Sequence, residues 1–298
     1  MRDTRYAIVL ILIAAAASSL QAQEIRLRPT AAMYLDASGS GMNAPRGVDY
    51  DGESVLAIAD TGNHRILVYR VEGDKVAFVN EMRVNEARHP VRVRLAADGG
   101  VLVLDGRSHR IARVSKEGVF LSWVAVPESD RMDPVVRSFD IDSEGNLYVL
   151  EAGSGRALVL APDDSPRREI AYGPEVRSLA DLALGSDGRV FAVDSVARRV
   201  FVAQEGDASF QPLTDPMADD MTFPTGIAAD GEGYLYLADD HGSGIVVLGQ
   251  DGSFQGRESA MGWKEGFLRY PSGVSAGKNL LFVADRGNNR VQIFTIVR

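Results

Sequence analysis

Phe282-Val283-Ala284-Asp285-Arg286-Gly287-Asn288-Asn289-Arg290-Val291-Gln292-Ile293-Phe294 reads as a strand, a tight polar turn opened by an aspartate, and a second strand. The same phrase stands near the front as Ala57-Ile58-Ala59-Asp60-Thr61-Gly62-Asn63-His64-Arg65-Ile66-Leu67-Val68-Tyr69, and worn copies lie between. An acidic residue closes the second strand of each copy at Asp60, Asp105, Glu151, Asp194, Asp239 and Asp285, at intervals of 45, 46, 43, 45 and 46 residues. Arginine follows five positions later at Arg65, Arg110, Arg156, Arg199 and Arg290, and the fifth copy has Gly244 instead. A fixed period of this size marks a repeat architecture.

Each copy holds up to four strand-like pieces. In the fifth they are Thr225–Ala229, Tyr234–Ala238, Ile245–Leu248 and a piece starting at Ser253, with Asp-Gly turns between the first two and the last two. The runs are short and apolar rather than strictly alternating, as suits sheets covered on both faces. Six four-stranded antiparallel units predict an all-β, six-bladed β-propeller in a single domain spanning 23–298. The last copy stops after its third strand, and Ile25 to Leu35 is spare at the front. That segment is expected to close the ring as the missing outer strand beside Val291 to Ile296.

The chain has 298 residues, no cysteine and a formal charge of −9. The missing cysteine excludes disulfides, thiolate catalysis and thiolate zinc. The acidic balance argues against nucleic acid as a partner. Arg2 and Arg5, the apolar run Ala7 to Ala17 and the small residues after it read as an export signal over 1–22, with cleavage after Ala22. The mature chain would carry −10 and no membrane span, and would be periplasmic or secreted.

Asp60-Thr61-Gly62-Asn63-His64-Arg65-Ile66 and Asp285-Arg286-Gly287-Asn288-Asn289-Arg290-Val291 closely resemble the NHL repeat. Pro45-Arg46-Gly47-Val48, Pro224-Thr225-Gly226-Ile227 and Pro271-Ser272-Gly273-Val274 match its opening. The resemblance implies a six-bladed propeller of the TolB-like group. Its members include protein- and RNA-binding scaffolds and a few enzymes, so it implies no single activity.

The recurring acid and arginine are expected to be structural, since a catalytic pair is needed once and this one recurs around the ring. The carboxylate would accept turn amides and the arginine would lie across the loop onto it. Of the histidines, His64 and His109 share one repeat position, His241 lies in the fifth loop and His89 precedes Pro90. An NHL-type lyase that completes peptide amidation holds zinc with histidines around its tunnel. No histidine falls inside a first strand here, so neither a metal nor a cofactor is expected.

Function is expected where the copies differ, at the start of the first strands. Aligned on the acids, these positions are Arg46-Gly47, Val91-Arg92, Arg137-Ser138, Ala180-Asp181, Thr225-Gly226 and Ser272-Gly273. Arg46, Arg92 and Arg137, with Arg177 and Asp181, would ring one channel mouth and bind an anion or carboxylate. Internal pairing, for example of Arg137 with Asp181, is the competing reading. The whole predicts an exported, monomeric, non-enzymatic scaffold for a protein or peptide partner. The alternative is a lyase or hydrolase with an anionic substrate or a metal at the mouth.

Overall fold

A computed structural model describes residues 25–35, 39–73, 75–129 and 133–298. Residues 1–22, expected to be an export signal, lie outside them. The described residues form six four-stranded antiparallel sheets, arranged as the blades of a propeller. Blades one to five each take four consecutive strands. Blade six takes Pro271–Gly277, Leu280–Asp285 and Arg290–Val297, and its outer strand is Arg26–Met33 from the other end of the chain.

That latch pairs antiparallel from Arg26 opposite Val297 to Met33 opposite Val291, with a bulge between Pro29 and Ala31. Its two faces do different work. Ile25 and Leu27 are buried with Tyr236, Val247 and Phe294 between blades five and six. Met33 is buried, and Ala31 partly so, with Leu67, Tyr69 and Val291 between blades six and one. One strand thus seals two interfaces.

The core lies between blades rather than within them. Six separate apolar clusters fill the six gaps, each drawing on the middle strands of adjacent blades. Middle strands such as Val190–Asp194 are therefore buried at every residue, and their sequence shows no polar alternation.

Topology also sorts the turns. First-to-second and third-to-fourth turns fall on one face, here called the far face. The aspartate turns and the loops leading into each first strand fall on the other. Aspartates in the first turns of blades one to five, Asp51, Asp98, Asp142, Asp187 and Asp230, accept nearby backbone amides. Turn chemistry thereby loads the far face with negative charge.

Candidate functional site

Six inner strands line the central channel: Gly47–Tyr50, Pro90–Leu95, Val136–Ile141, Leu179–Leu184, Pro224–Ala229 and Pro271–Gly277. In the last five, pairing with the next strand slips by one residue near the start. The skipped residues are Val91, Arg137, Ala180, Thr225 and Ser272. Such bulges re-aim a side chain and leave its backbone outside the ladder. All five line one cavity of about 260 Å³, together with Arg46, His109, Asp240 and Arg286. Arg46 precedes the first inner strand at the equivalent position.

The next residue of each strand faces down the channel. Here blades five, six and one carry Gly226, Gly273 and Gly47, and blades two, three and four carry Arg92, Ser138 and Asp181. A Cβ on Gly273 would lie 2.5 Å from the Arg46 carbonyl oxygen, and one on Gly47 2.9 Å from the Arg92 Cα. Glycine lets these strands converge. Arg92 spans the opening, donating to the Thr225 carbonyl at 2.8 Å and the Ser272 carbonyl at 3.3 Å. Both acceptors are bulge residues of blades on the opposite side. Arg92 also ion-pairs with Asp181 at 3.5 Å. Asp181 is buried, accepts the Ser138 hydroxyl and takes the Ile227 amide at 3.1 Å.

The five residues expected at the mouth therefore separate. Arg46 and Arg137 line the cavity, and their side chains make no hydrogen bond or ion pair among the described residues. Arg92 forms the floor with Asp181 beneath it; internal pairing does occur, but through Arg92 rather than Arg137. Arg177 is exposed and outside the cavity, and its backbone amide donates to Asp194 at 2.6 Å. Arg286 enters instead, held by Asp240 at 2.7 Å. Burial lowers the Arg46 pKa, as do Arg286 and Arg92, with Asp240 opposing. Positive charge is in excess here.

Deeper in the channel the arginines are paired with carboxylates. Arg94 lies 2.7 Å from Asp140 and 3.9 Å from Asp49. Burial works against its charge, but Asp140, Asp49 and Asp181 outweigh burial and raise its pKa. Burial pushes Asp49 up to about 6, against the pull of Arg94 and of the Leu95 amide. The inner edge of an innermost strand has no neighbour in its own sheet, so its amides need other acceptors. Side chains of the preceding blade supply them: Asp49 caps Leu95 at 2.7 Å, Asp140 caps Leu184 at 3.3 Å, Asp181 caps Ile227, and Ser275 caps Tyr50 at 3.0 Å. The cavity of about 870 Å³ on the far face, between blades one, two and three, is lined in part by Asp49, Arg94 and Asp140. Size alone does not choose the site.

The six acidic turn residues share one bond. Each accepts a backbone amide from the loop leading into its own blade's inner strand: Asn43 to Asp60, His89 to Asp105, Val135 to Glu151, Ser178 to Asp194, Phe223 to Asp239 and Arg269 to Asp285. Burial alone would raise Asp105 and Glu151, but their donors outweigh it and hold both carboxyls below the usual range.

The arginine partner expected in five copies is found in two. Arg65 reaches Asp60 and Arg290 reaches Asp285, both at 2.7 Å and buried. Arg110 instead stacks over Trp123, Arg156 pairs with Glu169, and Arg199 pairs with Glu175 while donating to the Thr214 carbonyl. In those blades backbone and side-chain donors already occupy Asp105, Glu151 and Asp194. Blade five, with Gly244, recruits Arg257 from its outer strand onto Asp239 at 2.9 Å. A Cβ on Gly244 would meet that guanidinium at 2.9 Å.

His64 and His109 also gain a physical reason. The fourth residue after each acid, His64, His109, Gly155, Arg198, Ser243 or Asn289, has positive φ in all six blades. Glycine, asparagine and histidine tolerate that conformation better than most residues. His64 Nδ1 lies 2.8 Å from the Arg88 carbonyl oxygen and His241 stacks on Phe223.

The NHL repeat family model matches residues 268–294. No curated protein matches the sequence. Among solved structures, a catalytically inactive virginiamycin B lyase from Staphylococcus aureus with quinupristin is 15% identical, with a TM-score of 0.62, covering 92% of this chain and 100% of that one. A gluconolactonase from Xanthomonas campestris is 13% identical, with a TM-score of 0.67, covering 91% and 98%. A PQQ-bound aldose sugar dehydrogenase from Streptomyces coelicolor is 15% identical, with a TM-score of 0.65, covering 92% and 99%. At such identities the likeness is one of fold. The chain is a six-bladed β-propeller in which residues 268–294 match the NHL repeat.

Proposed function

We propose that this chain is an exported, non-catalytic binding module that receives a carboxylate of a protein or peptide partner in its arginine mouth. One observation carries the reading: Arg46 and Arg137 share a cavity with no partner of their own, whereas the channel charges beneath them are paired. Guanidinium groups lining a concave mouth suit a carboxylate, which accepts two parallel N–H donors. The acidic far face repels anions and leaves the mouth as their favoured approach. His109 lines the same cavity and favours the second reading, a hydrolase or lyase acting on an anionic substrate. A stoichiometric divalent ion in purified protein, or turnover lost in His109→Gln, would decide for the enzyme.

The test is a thermal-unfolding titration with succinate and citrate at low ionic strength. Ligand at ten times its Kd stabilises the fold by about 1.4 kcal/mol. That raises the Tm by about 2–4 °C for a domain of this size. The rise should shrink with added salt and vanish in the Arg46→Ala/Arg137→Ala variant. An equal rise in that variant overturns the reading.

A further inference from the structure

The loop at 259–270 joins the outer strand of blade five to the inner strand of blade six, on the mouth face. It exposes three large apolar side chains: Met261 at 61%, Trp263 at 76% and Phe267 at 43%. Its backbone is nonetheless held from beneath. The buried Arg290 donates to the carbonyls of Lys264 and Phe267, both at 2.8 Å. Gln292 donates to the Phe267 carbonyl at 2.6 Å and accepts the Gly266 amide at 2.8 Å, and Asn288 donates to the Gly262 carbonyl at 2.8 Å. Leu268 is fully buried. The polar residues of the repeat thus fix a ledge whose apolar side chains face solvent. Such a ledge has little ordering entropy left to lose on binding, and exposed aromatics on a rigid frame are what partner proteins use as anchors.

The ledge is joined to the mouth. Tyr270 adopts φ of +50°, unusual for a large side chain. Its ring lies 5.7 Å from both the Arg269 and the Arg286 guanidinium carbons. Arg286 is itself a wall of the mouth cavity. Lys264, Arg269 and Arg286 outnumber Glu265 and Asp240, the partner of Arg286, around the ledge, so its charge complements an acidic partner.

We propose that mouth and ledge form one recognition surface for an extended acidic peptide. A carboxylate enters between Arg46 and Arg137, and a large apolar side chain of the same peptide rests on Met261, Trp263 and Phe267. The inference rests on the mouth reading and adds the partner's second determinant.

The test selects binders for the full chain from a display library of ten-residue peptides with free C-termini. Selected peptides should be enriched over the library in both Asp or Glu and a large apolar residue. Their affinity should fall at least about tenfold in Trp263→Ala/Phe267→Ala, with the Tm and the carboxylate preference kept. In a Trp123→Phe background, binding should shift the emission of Trp263. Unchanged affinity in the ledge variant overturns the ledge and leaves the mouth standing. Unchanged affinity in Arg46→Ala/Arg137→Ala overturns both. A library that yields no such peptide, or Trp263-dependent binding to anionic phosphatidylglycerol vesicles that selected peptides do not displace, overturns the peptide as partner.

Discussion

Arg46 and Arg92 stand on adjacent levels of one channel and meet opposite fates. Arg92 is spent on the fold: it bridges two blades across the opening and answers the charge of Asp181. Arg46, like Arg137, keeps its guanidinium in an open cavity among other cations. One level further in, Arg94 is again enclosed by carboxylates. A charged side chain facing the channel is therefore not by itself a functional group. Inside, carboxylates cap the inner-strand amides that the sheets leave unpaired, and arginines pair with those carboxylates. At the mouth the bulges turn side chains away from that duty.

The contrast depends on a closed ring, and breaking the ring should have the largest effect. Deleting residues 23–35 removes the outer strand of blade six and the buried side chains of Ile25, Leu27 and Met33. At about 1.5–3 kcal/mol each, those three alone approach the total stability of a typical domain, about 5–15 kcal/mol. Loss of a cooperative thermal transition is expected. A Tm within a few degrees of the intact chain would mean that the ring closes without its latch.

The next effect separates the two levels directly. Asp181→Ala leaves the partly buried Arg92 without its counter-charge and the Ile227 amide uncapped, and should cost about 3 kcal/mol in urea unfolding. Arg46→Ala and Arg137→Ala should each stay within about 0.5 kcal/mol of the parent. Equal costs at both levels would erase the distinction.

A smaller effect concerns pH. Asp49 has its carboxyl raised to about 6 by burial, so the folded state holds a proton that the unfolded chain releases near pH 4. Its contribution is full below that ordinary value and is lost as pH rises through about 6. Asp105 and Glu151, held low, contribute above the ordinary carboxylate range and lose that contribution as pH falls. Between pH 4 and 7 the parent should therefore lose stability relative to Asp49→Asn. Parallel stability curves for the two proteins would contradict the assignment.

Much of this architecture could be read from residues. The acid period, the missing last strand and the spare segment at Ile25 to Leu35 specify six blades and the latch, because a repeat must bury its faces against copies of itself. The mouth was legible only in part. Matching the copies at the inner-strand starts finds Arg46 and Arg137, but it places Arg92 and Asp181 beside them. A one-residue bulge separates a side chain facing the mouth from one facing the channel, and no residue type announces it. Asp240 and Arg286 each follow the turn acid of their blade, a position that also varies among copies and was open to the same comparison. Arg257 in place of an arginine at Gly244 depends on a contact between strands and has no local signal.

Ligand binding is proposed to belong to the mouth and not to the channel beneath it. Calorimetric titration of citrate at low salt into the parent, Arg46→Ala/Arg137→Ala and Asp49→Asn tests it most directly. At least about a tenfold loss of affinity is expected in the arginine variant, since each charge-assisted bond contributes about 1.5 kcal/mol or more, and no change in Asp49→Asn. Full affinity in the arginine variant, or loss confined to Asp49→Asn, would contradict it.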